Sequence, residues 1–327
     1  MKLKDDNTKW YVVRLWEEGN SNREISKLTG VSKSAVQEFL SGKTHKDWWE
    51  NRYSSDDNES DDGFKMVFLD LEVAPAKVLA FNMFKHFSSP DHIVQFPYVL
   101  TAAWNWLHDD ENEIFSIALS DCESFSKDVT DDYEIIVELW NVLDQADVVV
   151  AQNARFDVGW FSQQCAKHGL PEPSPYRVIC TLKNSKGNFS LPSNSLGYVV
   201  KYFNLEHHKL KHDGIELWKR CMDGEVKAFE EMLVYNRGDI PTLRNLYLTT
   251  RAHIEKHPNL SIYFNDDKQR CPVCGGENLV DLTGKFAYTN LSKFDSVRCN
   301  DCGTVKRKST ALTDSVKRKK FLRNVIK

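Results

Sequence analysis

Val67-Phe68-Leu69-Asp70-Leu71-Glu72 ends in alternating apolar and acidic residues. A strand puts side chains two apart on one face, so Asp70 and Glu72 point one way while Leu69 and Leu71 point into the opposite layer. Two carboxylates on one face repel unless a cation lies among them, which makes this strand a candidate site for divalent metal. Two further acids stand in contexts that aim them inward: Asp157 in Asn153-Ala154-Arg155-Phe156-Asp157, and Asp239 in Tyr235-Asn236-Arg237-Gly238-Asp239. Asp157 follows a strand where a helix begins, at the edge of a sheet where α/β folds place their ligands. Tyr235 and Asp239 are four residues apart and share a face if their helix is continuous. Gly238 and Pro241 flank Asp239, and proline favours a first helical turn, so a helix restart near Asp239 is expected, with Tyr235 on the preceding element.

Outward from this strand, residues 65–73, 98–107 and 113–119 read as consecutive strands. A helix at 131–145, a buried strand at 147–151, a helix at 157–168 and a short strand near Val178 follow. Further helices are expected at 195–203, around Leu217 and Trp218, at 225–235 and at 240–256. Strands first and then alternation with helices imply an α/β layer with a mixed sheet.

The chain of 327 residues, 41% hydrophobic, is long enough for more than one folded unit. The start, Met1-Lys2-Leu3-Lys4-Asp5-Asp6, lacks the apolar core of a signal peptide, and no apolar run approaches the roughly 20 residues of a membrane span. A soluble, cytoplasmic protein is expected. The formal net charge of -4 hides a segregation: residues 303–327 carry nine Lys or Arg against Asp314 alone. That basic segment can attract a polyanion whatever the total charge.

Four of the eight cysteines form two Cys-x-x-Cys pairs, Cys271 with Cys274 and Cys299 with Cys302, 24 residues apart and each followed by glycine. Glycine permits the tight turn around sulfur, so each pair is a metal knuckle. With short strands expected at 279–282, 285–289 and 296–298, the module resembles a zinc ribbon holding one structural Zn²⁺ in a closed thiolate shell; a redox-active pair is the alternative. A ribbon this small cannot fold on core burial alone. With Lys306, Arg307, Lys308 and the lysine-rich stretch at 317–320 it forms a nucleic-acid grip or, alternatively, a protein-docking module with a solvated tail.

At the other end, three short helices are expected at 11–18, 23–28 and 32–40. Residues 25–36 resemble a helix-turn-helix with Gly30 at the turn, Ser32 as N-cap, and Val31 and Val36 packed inward. Ser32, Lys33, Ser34 and Gln37 then face a DNA groove. A three-helix bundle for protein contact is the alternative. Residues 54–62 are polar and acidic without periodicity, a linker by composition.

The order and wording of the acidic motifs over roughly residues 64–257 resemble the DEDD superfamily of 3′-to-5′ exonucleases, which has a ribonuclease H-like fold. Asp-x-Glu matches the first motif, Asn-x-x-Phe-Asp the second, and Tyr-x-x-x-Asp the third, that of the tyrosine subclass. His208 to Asp213 fits the spacing of the histidine subclass, but that lysine- and histidine-rich segment reads as a solvent-facing loop; His208 and Lys211 are candidates for substrate contact only. The resemblance implies two Mg²⁺ or Mn²⁺ ions, with Asp70 touching both, Glu72 and Asp239 holding the ion beside the attacking water, and Asp157 holding the other. Tyr235 then orients the water, and the products are nucleoside 5′-monophosphates. Asn153 and Arg155 are candidates for nucleic-acid contact. Phe81, Phe84 and Phe87 are candidates for base stacking or for core.

The expected organisation is a helix-turn-helix domain at 1–43, an acidic linker at 44–63, the exonuclease domain at 64–265, the zinc ribbon at 266–305 and a basic tail at 306–327. The helix-turn-helix suits a B-form major groove, so DNA is favoured over RNA as the nucleic-acid partner. An RNA exonuclease, or a DNA-binding regulator using the nuclease fold as scaffold, are the alternatives. This combination of modules is associated with phage or mobile elements, which would place the protein in a host cytoplasm.

Overall fold

The computed structural model describes residues 19–42, 63–80, 89–205 and 214–323, together with Lys9, Val12, Val13, Leu15 and Trp16. Phe81, Phe84, Phe87, His208, Lys211 and most of the acidic linker lie outside the described residues. In chain order the elements are α1 (Asn22–Thr29), α2 (Lys33–Gly42), β1 (Met66–Val73), β2 (Lys77–Val78), β3 (Ile93–Gln95), β4 (Val99–Trp106) and β5 (Phe115–Ala118). Then come α3 (Tyr133–Gln145), β6 (Val148–Ala151), α4 (Ala154–His168), β7 (Arg177–Cys180), α5 (Thr181–Asn188), α6 (Leu196–Tyr202), α7 (Ile215–Met222) and α8 (Val226–Thr250). A last group comprises β8 (Leu279–Tyr288), β9 (Lys293–Cys299), β10 (Val305–Ala311) and α9 (Ser315–Lys319). Among the described residues no helix is long and apolar enough to cross a membrane.

β1 is the centre of a five-stranded sheet ordered β5-β4-β1-β6-β7. β4 pairs antiparallel to it from Val67↔Trp106 to Val73↔Val99, and β5 pairs antiparallel to β4. β6 runs parallel to β1, and β7 parallel to β6. This mixed sheet with helices on both faces is consistent with the expected ribonuclease H-like fold.

The two faces of β1 bury different partners. Val67, Leu69 and Leu71 pack in one core with Ile135, Leu139, Trp140 and Leu143 of α3. Met66 and Phe68 pack in another with Ile240, Leu243 and Tyr247 of α8. Each such side chain contributes about 1.5–3 kcal/mol on burial. A one-residue slip would reverse both faces, so the apolar pattern also fixes where Asp70 and Glu72 point: to the α8 side.

α8 corrects the expected restart near Asp239. It runs unbroken through Gly238 and Pro241. Interior proline costs about 3 kcal/mol, but Ile240, Pro241, Leu243 and Leu246 are all buried, and the Thr242 hydroxyl donates to the Gly238 carbonyl at 3.1 Å. Packing against β1 and β4 overrides the local signal. Arg244, on the same helix, donates to Asn105 Oδ1 at 2.6 Å and to the Trp106 and Leu107 carbonyls at 2.9 Å, tying α8 to the end of β4.

At the amino-terminal end, a capping box of Ser21 and Glu24 starts α1, and Ile25, Val31 and Val36 share a small core with Val12 and Leu15. Ser32 Oγ accepts from the Ala35 N–H at 3.3 Å. Ser32, Lys33, Ser34 and Gln37 are exposed, as is Trp16 at 45% despite its apolar spacing.

At the other end β8, β9 and β10 form an antiparallel sheet ordered β10-β9-β8. Two short strands expected at 279–282 and 285–289 are one strand, β8. The segment expected as a basic tail from Lys306 first forms β10, so Lys306, Arg307 and Lys308 lie on the sheet. The sheet docks on residues 251–264: Leu260 N–H donates to the Pro272 carbonyl at 2.8 Å and Thr304 Oγ1 to the Ala252 carbonyl at 3.2 Å.

His257 sits beneath this junction. A carbonyl can only accept, so its contact of 2.7 Å with the Pro258 carbonyl places the proton on Nδ1, and Nε2 accepts from the Tyr247 hydroxyl at 2.9 Å. Burial holds the imidazole pKa down at about 4, with Lys306 and Arg251 adding repulsion. The unfolded chain therefore takes up this proton first. Its contribution to stability is full above pH 6.5, falls between pH 6.5 and 4, and is gone below; the span is on the order of 2–3 kcal/mol. Urea unfolding across this range should show a shallower loss for His257→Gln than for the wild type; equal slopes would assign the pH dependence to other groups.

Candidate active site

β1 outruns its parallel neighbour. The β1–β6 pairing spans Met66↔Val148 to Phe68↔Val150, so Asp70 and Glu72 lie past it, at the carboxyl end where open α/β sheets bind ligands. α4 fills the vacated edge. Its Asp157 accepts a hydrogen bond from the Leu71 N–H at 3.2 Å, satisfying a donor that β6 does not reach. α4 starts at Ala154, earlier than the expected residue 157, which sets Asp157 within its first turn, where the helix dipole favours a carboxylate.

From the other side, α8 places Tyr235 and Asp239 on one face, one turn apart. Carboxylate oxygens of Asp70, Glu72 and Asp239 all lie within 4.8 Å of one another. Asp157 stands beside this cluster, and its charge, with those of Glu72 and Asp239, adds to burial in raising the Asp70 pKa well above the carboxylate range. Burial pushes Asp157 up to about 7, against the opposing Leu71 hydrogen bond. Burial and the neighbouring acids, Asp239 first, also raise the Tyr235 phenol far above its ordinary value. The phenol is therefore a donor and not a base, and it hydrogen-bonds to Asp239.

Opposite ligands of a hexacoordinate Mg²⁺ stand about 4 Å apart. The oxygen cluster, hard donors held close enough to raise one another's pKa, fits such ions, and cations would relieve the repulsion. The acids open into a cleft of about 490 Å³ whose far wall includes Gln152, Lys186, Ser193, Asn194 and Ser195.

The motif spacing did not reveal two residues of this site. Asn236, fully buried, donates from Nδ2 to Asp70 Oδ2 at 2.7 Å, and its Oδ1 accepts from the Thr101 hydroxyl at 3.1 Å. It fixes the Asp70 carboxylate between helix and sheet. Its signal was an amide directly after Tyr235, where the apolar run Met232-Leu233-Val234 ends. Lys186 gives the cleft a cation; it lies on α5, whose polar, glycine-bearing sequence Thr-Leu-Lys-Asn-Ser-Lys-Gly-Asn carries no helical period to find. Asn153 and Arg155 are exposed and line a neighbouring groove instead of this cleft.

A second donor set is made of sulfur. Cys271, Cys274, Cys299 and Cys302 are free thiols, all mutually within 4.8 Å. Cys271 Sγ to Cys302 Sγ and Cys274 Sγ to Cys299 Sγ are both 3.6 Å, far beyond a disulfide. A tetrahedral metal with bonds of about 2.3 Å to sulfur has edges of about 3.8 Å, so the set fits Zn²⁺. Gly275 and Gly303 hold φ of 75° and 78°, the left-handed turn each knuckle needs, and the Gly275 and Gly303 N–H groups donate to the Cys271 and Cys299 carbonyls at 2.8 and 2.9 Å. Lys306, Arg307 and Lys308 line a cavity of about 300 Å³ beside these cysteines; Lys308 pairs with Asp281 at 2.7 Å and Arg307 lies over the Phe294 ring.

Residues 121–216 match the family model RNase_T, described as Exonuclease. The matched span covers Asn153 and Asp157 and lies between Glu72 and Tyr235. It supports the exonuclease superfamily, and with it a nuclease that takes nucleic acid and uses divalent metal. No curated protein matches the chain.

Proposed function

We propose that this protein is a metal-dependent exonuclease that removes nucleotides from the 3′ end of DNA and releases nucleoside 5′-monophosphates. The observation that carries the reading is the convergence of Asp70, Glu72 and Asp239 within 4.8 Å at the mouth of an open cleft. Asp70, Glu72, Asp157 and Asp239 would hold two Mg²⁺ or Mn²⁺ ions. When bound, the ions supply a water activated near neutral pH and charge to neutralise the leaving oxygen.

The remaining work falls to the chain itself. Asn236 keeps the Asp70 carboxylate from rotating by a charge-assisted hydrogen bond. Tyr235, its single proton donated to Asp239, orients the attacking water by accepting a hydrogen bond from it at the phenol oxygen. Lys186 draws a phosphate toward a cleft that is otherwise acidic. The cysteine set would hold one structural Zn²⁺ with no open position, so the ribbon serves binding and not hydrolysis. The α1–α2 pair, with Ser32, Lys33, Ser34 and Gln37 exposed, is read as a helix-turn-helix that favours DNA. The matched family's name refers to a ribonuclease, which keeps RNA as the second reading.

The test is Mg²⁺-dependent digestion of matched 5′-labelled single-stranded DNA and RNA, resolved on a gel. A ladder shortening from the 3′ end of DNA is expected. A ladder on RNA alone would transfer the protein to RNA processing, and no cleavage of either would remove the nuclease reading.

A further inference from the structure

Beside the acidic cleft, on the other side of α5, runs a groove of about 970 Å³, about twice the volume of the cleft itself. Leu182 and Lys186 line both, so the two spaces share a wall. Arg155 of α4, Lys183 and Lys186 of α5, and Lys256 line it against a single carboxylate, Glu255. All four cations are exposed, and among the described residues none has a carboxylate partner. Four like charges around one groove repel one another unless an anion lies among them.

The glycines of the groove make a separate observation. Gly159 sits in mid-helix on α4, one turn after Arg155, and Gly187 lies on α5 one turn after Lys183. A helical glycine costs about 0.5–1 kcal/mol relative to alanine. A Cβ on either would meet nothing within 4 Å, so no packing contact in the fold calls for glycine there. Both line the groove, and both keep its floor at backbone level. Val178, 45% exposed, adds an apolar strip on which a base can rest.

We propose that this groove is the path of the single strand upstream of the scissile nucleotide, its phosphates held by Arg155, Lys183, Lys186 and Lys256 and its bases admitted by Gly159 and Gly187. The inference rests on the exonuclease reading, which puts the 3′ end in the cleft and leaves the rest of the strand to find a way out past acids that repel it. Charge selects the occupant: a polyanion with flat apolar faces matches a cationic groove with a bare backbone floor.

Two variants outside the cleft test it. Lys183→Ala/Lys256→Ala should lower kcat/KM on a single strand of about 12 nucleotides about tenfold, and flatten the slope of log affinity against log salt by about 1.4, about 0.7 for each phosphate contact on a single strand. Hydrolysis of the nitrophenyl ester of a nucleoside 5′-monophosphate, which occupies only the cleft, should be unchanged. Gly159→Leu should hold or raise the melting temperature, since leucine favours helix, while weakening the long strand several-fold. Fluorescence anisotropy of the same strand in Ca²⁺ reads the groove independently of turnover. Unchanged long-strand binding in both variants overturns the proposal and leaves the nuclease intact. Equal losses on strand and ester overturn it by assigning these residues to the cleft. Wild-type protein that hydrolyses neither substrate brings down the exonuclease reading and this inference with it.

Discussion

Asp70→Asn is expected to reduce phosphodiester turnover by about 10³-fold or more, about 4 kcal/mol of barrier, while making the metal-free protein more stable. Both effects follow from one geometry. Burial first, and then the charges of Asp157, Glu72 and Asp239, raise the Asp70 pKa. A neutral isostere relieves that repulsion and still offers an oxygen to Asn236, which now donates to Asp70 Oδ2 at 2.7 Å. A gain of about 1 kcal/mol, a few degrees in melting temperature, is expected for a chain of this size. Metal should reverse the order. At a Mg²⁺ concentration of about 100 times its dissociation constant, the wild type gains about 2.7 kcal/mol and Asp70→Asn little. Calorimetry with and without Mg²⁺, beside the labelled-strand assay, checks both arms. A variant that still hydrolyses, or that Mg²⁺ still stabilises, would move the site away from β1.

Cys271→Ser is the second large effect. Structural zinc in such small modules is worth about 10–16 kcal/mol of apparent folding energy, far more than the core of this ribbon can replace. That core is little more than Val273, Leu279 and the cysteines themselves. The variant should lose one zinc per chain by elemental analysis and the hydrogen-exchange protection of β8, β9 and β10. The acidic site stands on a different sheet, so ester hydrolysis should survive while affinity for long strands falls. Zinc-free wild-type protein that unravels only when reduced would instead identify the cysteines as a redox pair.

Asp70 and Glu72 were legible on one face because strand alternation is a local rule, and strands followed by alternation with helices gave the mixed sheet. Asp157, Tyr235 and Asp239 were singled out by the resemblance of their ordered motifs, not by helical geometry. What local rules missed was decided by partners distant in sequence. Pro241 predicts a break, yet α8 continues because its flank is buried on β1 and β4. Asn236 has no motif of its own; its role appears only when β1 arrives beside it, 166 residues away in sequence. α5 has no apolar period, and its two asparagines and Gly187 offset its one leucine and two lysines, so the wall between cleft and groove escaped notice. Lys306 to Lys308 read as tail because charge hid the alternation that pairs β10 with β9. The four cysteines, by contrast, needed only spacing and the glycines behind them.

The hydrogen bond from Asn236 to Asp70 joins two segments that are synthesised far apart in time. At about 5–20 residues per second, a ribosome that has just made β1 needs roughly 10–30 s to reach the helix that completes the carboxylate cluster. Through that interval, and in every product of premature termination before α8, Asp70, Glu72 and Asp157 lack Asp239. On the exonuclease reading, the nascent polypeptide therefore holds an incomplete site until α8 has been synthesised and packed against β1.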